Sequence, residues 1–235
     1  MTESTVWRIN HLEVRGSEAD SAFKDFERAR EQAGVRLVSC RLPHERITDS
    51  MFLEEHGFRF IEMLYQPELI LVPSETTGTF EPLSIRRAVD VDLPAIEEIA
   101  GKAFVNERFH MDPRLGPELG NQRYRNWVRS SFDHSDQRLF ALSDGDRLVA
   151  FFVTEMNADG TCYWHLNAVA PEAQGFGYGR RAWQTMIKQA ADTGAKRIRT
   201  SIVARNYRVL NLYARLGFQF PAPLMTFHWV RGAGT

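Results

Sequence analysis

The sequence predicts a mixed α/β (α+β) fold, and three observations carry that expectation. Residues 138–169 contain three apolar, alternating segments joined by the turns Ser143-Asp144-Gly145-Asp146 and Asn157-Ala158-Asp159-Gly160, a run of antiparallel hairpins. Segments with apolar residues at three- and four-residue spacing flank that run on both sides. A glycine-rich loop then leads from its last strand into a helix, a further strand, another helix and a terminal strand.

Taken in order, Glu18 to Gln32 carries Ala22, Phe23, Phe26, Ala29 and Ala33 on a helical period, and Gly34 closes that helix. Val35 to Leu42 alternates as a strand, Thr48 to His56 reads as a second helix ending at Gly57, and Phe58 to Val72 as one or two strands. Beyond a polar Thr/Gly stretch, Leu83 to Ala88 reads as a strand. Asp92 is then the expected cap of a helix reaching Phe104, with Pro94 in its first turn. A loop rich in charge and aromatics, Asn106 to Gly116, precedes a helix at Pro117 to Phe132 with Tyr124, Trp127 and Val128 on one face. After the hairpins come a helix from Gly179 to Thr193, a strand from Arg197 to Val203, a helix from Tyr207 to Leu216 and a strand from Gln219 to Val230.

Composition narrows the function. The 235 residues are 43% apolar and 25% charged, enough apolar material to bury a core. Twenty-nine basic residues against thirty acidic ones argue against a nucleic-acid surface, which needs a basic excess. No apolar run reaches the roughly 18–20 residues of a membrane helix, and Met1 to Thr5 has neither the basic nor the apolar region of a secretory leader. Cys40 and Cys162, the two cysteines, support neither a disulfide framework nor a cysteine zinc site. A cytoplasmic protein without a metal is expected.

The division expected is an N-terminal α/β domain at 1–72, a linker at 73–82 and a larger domain at 83–235. A repeat underlies it: Gly34 precedes Gly57 by 23 residues, and Gly194 precedes Gly217 by the same 23. Both spans read glycine, strand, polar break, helix, then Gly-Phe-x-Phe, as expected of a duplicated half-domain.

The loop Val169-Ala170-Pro171-Glu172-Ala173-Gln174-Gly175-Phe176-Gly177-Tyr178-Gly179-Arg180-Arg181 is the most chemically specific segment. Alternate glycines bring several backbone N–H groups to one point, and the following helix adds its unpaired amides and positive dipole end. Such a cradle suits a phosphate or pyrophosphate, supplemented by Arg180 or Arg181. Gly179-Arg180-Arg181 lacks the Gly-Lys-Ser/Thr of a P-loop, and the next strand ends in Ala204-Arg205-Asn206, without the acid of a dinucleotide fingerprint.

Gln174-x-x-Gly177-x-Gly179 after Val169-x-Pro171 resembles the acyl-CoA pyrophosphate loop of the GNAT N-acyltransferases. Asn206, Leu212-Tyr213-x-x-Leu216-Gly217-Phe218 and the opening Ile85-Arg86-Arg87-Ala88 with Asp92-Leu93 are similar to further motifs of that superfamily, over residues 83–230. The resemblance implies a mostly antiparallel twisted sheet that splays to admit acetyl-CoA between strands ending at Val169 and Val203. It implies that the backbone of Asn167, Ala168 and Val169 holds the pantetheine. The loop Gln174, Gly175, Phe176, Gly177, Gly179 and Arg180 would take the pyrophosphate, with Asn206 touching the cofactor or capping the next helix. Tyr213 matches the family's general acid. His165, four residues before Val169, is the expected base, with Glu155 in reserve.

Arg108-Phe109-His110-x-Asp112, followed by Tyr124 and Trp127, resembles the branch that acetylates TDP-linked amino-deoxy sugars. On that resemblance Arg108 and Arg114 meet a diphosphate, Phe109 stacks on a sugar or base, and His110 and Asp112 bond hydroxyls. The implied partner is a small-molecule amine, a nucleotide-linked amino sugar. Another small amine or a protein N-terminus is an alternative acceptor, and a non-catalytic CoA-binding module an alternative function. Leu53 stands where the N-terminal repeat would place Tyr213, so residues 1–72 are expected to extend the sheet, shape the acceptor cleft or support a homodimer.

Overall fold

The computed structural model describes residues 6–14, 19–72 and 80–232, so residues 73–79 of the expected linker lie outside the described residues. The described residues form two sheets. The strands of the first are β1 (Val6–Ile9), β2 (Leu37–Pro43), β3 (Arg59–Tyr65), β10 (Ile202–Val203) and β11 (Leu224–Val230), in the order β1-β2-β11-β3-β10. The second holds β4 (Glu68–Ile70), β5 (Ser84–Arg87), β6 (Gln137–Asp144), β7 (Arg147–Met156), β8 (Thr161–Val169) and β9 (Arg197–Thr200), in the order β4-β9-β8-β7-β6-β5. All pairs of this second sheet are antiparallel except β8 with β9. The helices are α1 (Ala19–Gln32), α2 (Ile47–Glu55), α3 (Leu93–Ala103), the short α4 (Arg108–Met111), α5 (Pro117–Phe132), α6 (Tyr178–Asp192) and α7 (Tyr207–Arg215). None of the described helices is long and apolar enough to cross a membrane.

The alternating side chains of β7 explain the layering. Phe152 packs edge-on against Trp164 and Trp183, the latter on α6, while its neighbour Phe151 faces Phe104 at the end of α3. Helices therefore cover both faces of the second sheet, and Phe151, Phe152 and Trp164 are fully buried between them. In the first sheet Val38, Cys40 and Leu42 of β2 and Met225 and Phe227 of β11 face α1 and α2 through Phe23, Phe52 and Leu53. The opposite face is polar. Arg8 lies opposite Ser39, Ser39 opposite His228, and Arg41 opposite Thr226, which also lies opposite Glu62.

The two 23-residue spans share a pattern of backbone hydrogen bonds. Gly34 and Gly57 each lie 160 residues before their counterparts Gly194 and Gly217, and the hydrogen bonds around each pair coincide. The amides of Gly34 and Val35 donate to Glu31 and Arg30, and those of Gly194 and Ala195 to Ala191 and Ala190. At the next helix end Phe58 N–H donates to Leu53 and Phe218 N–H to Tyr213, so Leu53 occupies the structural place of Tyr213. The two repeats exchange strands. β11 runs between β2 and β3, and β4 reciprocally pairs with β9 while Glu68 and Gln219 exchange two backbone hydrogen bonds at 2.9 and 2.8 Å. Strands on the two sides of the 73–82 stretch thus share both sheets.

Four expectations change in detail. The strand expected at Arg197 to Val203 divides, because β9 serves the second sheet and β10 the first. The terminal strand begins at Leu224, since Pro221 and Pro223 interrupt the run from Gln219. Asp92 does not cap α3: its carboxylate accepts from Val89 N–H at 2.8 Å and from Arg86. β1, too short to show a period, and α4, inside the expected loop, are additions.

Candidate active site

β8 pairs with β9 only from Thr161 to Trp164; beyond that point the two strands part. The parting coincides with a bulge against β7, where Val153 lies opposite Leu166 and Thr154 opposite Trp164, leaving His165 without a partner. The extra residue bends β8, so one edge of His165 to Val169 stays free of strand pairing. A cleft of about 770 Å³ opens there. It is lined by His165, Asn167, Ala168, Val169, Gln174, Gly175, Gly177, Gly179, Arg180, Asn206 and Tyr213, and also by Arg108 and Phe109.

At one end lies the turn between β8 and α6. Gly175 and Gly177 have φ of 87° and 84°, a left-handed conformation that a β-carbon strains. Gly179 is different, for a β-carbon there would meet only Leu212, at 3.7 Å. Gln174 ties the turn back to β8, its amide donating to Val169 O at 3.2 Å. No side chain caps the N-terminus of α6, which leaves its first amides available to an anion. Arg180 faces the cleft, whereas Arg181 pairs with Asp144 at 3.2 Å; Phe176 points to solvent, 75% exposed. This turn fits the pyrophosphate of an acyl-CoA, and the free edge of β8 fits its pantetheine.

Across the splay Tyr213 is 1% exposed, and its hydroxyl donates to Asn167 Oδ1 at 3.5 Å. Burial pushes the phenol up to about 12, against the opposing pull of the polar groups around it, so it is neutral and holds its proton. Asn206 caps α7 by accepting Val209 N–H at 3.4 Å and also lines the cleft. His165 lines the cleft with its Nε2 2.8 Å from Glu155 Oε2.

The far end departs from the sequence reading. Asp112 is fully buried and does not line the cleft. It accepts from Arg114 Nε at 2.8 Å and Arg114 Nη2 at 2.9 Å, and its Oδ2 lies 3.0 Å from His228 Nδ1. Burial opposes its charge, yet the hydrogen bonds from His228 and Arg114 prevail and hold its pKa well below the usual carboxylate range. With its lone pairs committed, Asp112 fastens α4 to β11, and Arg114 is spent on the same clasp rather than on a diphosphate. His110 is likewise outside the cleft, 2.9 Å from Asn121 Oδ1 and packed under Gly120, where a β-carbon would come within 2.3 Å of its ring. Phe109 lines the cleft but is 6% exposed, with the guanidiniums of Arg108 and Arg123 at 4.7 and 4.6 Å from its ring centre.

The cleft also holds residues that sequence reasoning missed: Arg8, Arg41, Arg123, Glu107 and Tyr163. Only Arg41 left a signal, its period-two alternation with Ser39 in an otherwise apolar strand. Glu62, 2% exposed behind Arg41, has its pKa raised by burial. Enclosure, then the charge of Glu62, pushes Glu107 up to about 8. Burial, then Arg41 and Arg123, pushes Arg108 down to about 10.

Comparison with known proteins agrees with this geometry. The acetyltransferase (GNAT) family model matches residues 94–218, more than half of the chain. The spore coat polysaccharide biosynthesis protein SpsD of Bacillus subtilis is 22% identical over 208 residues, covering 88% of this chain and 71% of that protein. Among solved structures, a GCN5-related N-acetyltransferase from Sphaerobacter thermophilus superposes with a TM-score of 0.66 at 15% identity, covering 92% of this chain and 69% of that one. A tandem GNAT protein from the clavulanic acid biosynthesis pathway gives 0.66 at 10% identity, covering 99% of this chain and 77% of its own. With the glycine turn, the splayed strands and the family match in agreement, this chain belongs to the acetyltransferase (GNAT) family and is an acyltransferase.

Proposed function

We propose that the protein transfers an acetyl group from acetyl-CoA to the amine of a nucleotide-linked amino-deoxy sugar, by direct attack while both substrates are bound. One observation carries the reading: a single cleft has an anion-binding turn at one end, a buried neutral phenol at the splay, and arginines at the other end. The name of the SpsD relative, a polysaccharide biosynthesis protein, supports a sugar acceptor.

Bound acetyl-CoA supplies an activated thioester acetyl group. Gly175, Gly177 and Gly179 hold the donor's pyrophosphate through backbone amides with the Arg180 side chain beside them, and Asn167 to Val169 hold its pantetheine along the free edge of β8. A backbone N–H near Val169 stabilises the negative charge that develops on the carbonyl oxygen. His165 donates Nε2–H to Glu155, which leaves its Nδ1 lone pair to take the amine's proton, directly or through water. Tyr213 gives its proton to the departing sulfur, a task that requires the phenol to remain neutral at working pH. Arg108, beside Phe109, meets the acceptor's diphosphate.

The test is thiol release from acetyl-CoA against a panel of nucleotide-linked amino sugars, free amino sugars, polyamines and peptide N-termini. Release with the nucleotide-linked sugars above all others supports the reading; a preference for any other class overturns it.

A further inference from the structure

The polar face of the first sheet turns toward the acceptor end of the cleft. Arg8 on β1 and Arg41 on β2 line it together with Arg108 on α4 and Arg123 on α5. Four guanidinium groups thus converge from four elements, two of them in the N-terminal repeat. Their local compensation is thin. Arg41 reaches Glu62 only at 3.9 Å, and among the described residues Arg8, Arg108 and Arg123 have no carboxylate within 4.0 Å. Glu107, the acid that shares the cleft wall with them, is held toward its neutral form by its surroundings. Gathering like charges in a partly enclosed cleft is unfavourable unless an anion completes the set.

This end is not the cofactor's. Tyr163, whose hydroxyl is 2.9 Å from Ser201 Oγ, shares the cleft wall with Arg41, while Val169 adjoins the glycine turn. Six residue steps of β8 span at most about 20 Å at 3.3 Å per residue, shortened by the bend at His165. Two anion-binding ends of one cleft, that far apart, call for two separate anions.

We infer that Arg8 and Arg41, with Arg108 and Arg123, form a subsite for the diphosphate of the acceptor, so that the N-terminal repeat, which has Leu53 in place of a catalytic tyrosine, binds substrate instead. The inference rests on the acceptor reading above and gives residues 1–72 their role within it. Arginine's planar fork suits adjacent phosphate oxygens.

The probe is thymidine diphosphate, titrated by calorimetry into protein saturated with acetyl-CoA, so that the glycine turn is already filled. One diphosphate binds per chain, and its affinity falls about tenfold or more in Arg8→Gln and in Arg41→Gln, with acetyl-CoA affinity unchanged as the control for folding. Arg8 is exposed on an edge strand, so Arg8→Gln remains readable even where Arg41→Gln, beside buried Glu62, fails to fold. In turnover the same variants raise KM for the nucleotide-linked sugar about tenfold and leave kcat within a few-fold. Absence of diphosphate binding to the saturated wild type, or binding by Arg8→Gln and Arg123→Gln equal to that of the wild type, overturns the subsite. If diphosphate binding responds to the variants while no nucleotide-linked amino sugar is acetylated, the subsite stands and the sugar reading falls. If the sugar is acetylated with unchanged KM in the variants, the reverse holds.

Discussion

Tyr213 and Leu53 stand at equivalent helix ends and differ only in what the fold asks of them. Leu53 fills a core, while Tyr213 is equally enclosed yet places a hydroxyl beside Asn167 at the splay. Tyr213→Phe is expected to lower kcat about 100-fold or more with little change in acetyl-CoA affinity, and unchanged turnover would remove Tyr213 from the mechanism. For His165 the check is the pH–rate profile: His165→Ala abolishes the acidic limb, and an intact limb excludes His165 as base. Glu107 gives a third prediction. Its pKa is raised to about 8 from an ordinary value near 4.5, so the folded state keeps a proton that the unfolded chain releases. Stability therefore falls as pH rises from about 4.5 through 8. Glu107→Gln, which stays neutral, is expected to raise the melting temperature at pH 9 more than at pH 5, and an equal change at both sets the assignment aside.

At the scale of the element, what was legible in the sequence depended on how local its cause was. The glycine turn, α6, α7 and the hairpins β6 to β8 rest on nearby glycines and period-two or period-3.6 patterns, and they were read close to their observed ends. Arg108 could be placed at the cleft because the family motif contains it. Asp112 could not be told from a ligand, since its partner His228 lies 116 residues away on β11. Its neighbour Arg114 looked free for the same reason. The clasp that Asp112, Arg114 and His228 form sets where α4 carries Arg108 and Phe109. Asp112→Asn is expected to destabilise the protein by about 3 kcal/mol, since one member of a buried charged set is lost, and denaturant unfolding measures it. A loss well under 1 kcal/mol would mean that α4 is held by other contacts.

For the whole molecule, β11 pairs with β2 and β3 while β4 pairs with β9, so one cooperative unfolding transition is expected. Composition and turn signals marked a boundary near residues 73–82, but strand pairing between residues more than 120 positions apart leaves no local trace, so the sequence could show the 23-residue echo and not the exchange. A chain reduced to residues 80–235 loses β4 from the edge of β9 and leaves β11 without β2 and β3. It is expected to be insoluble or to lack a cooperative transition, and co-expression with residues 1–79 is expected to restore both; a soluble, cooperatively folding 80–235 fragment would contradict the exchange. The same interlock brings Arg8 and Arg41 to the cleft wall, where the proposed acceptor subsite lies.

The most direct measurement compares one amino sugar in two forms, linked to its nucleoside diphosphate and free, as acceptors in acetyl-CoA-dependent thiol release. A kcat/KM about 100-fold or more in favour of the linked form is expected, because only that form spans the arginines and the splay together. Equal values for the two forms, or turnover of neither, would contradict it.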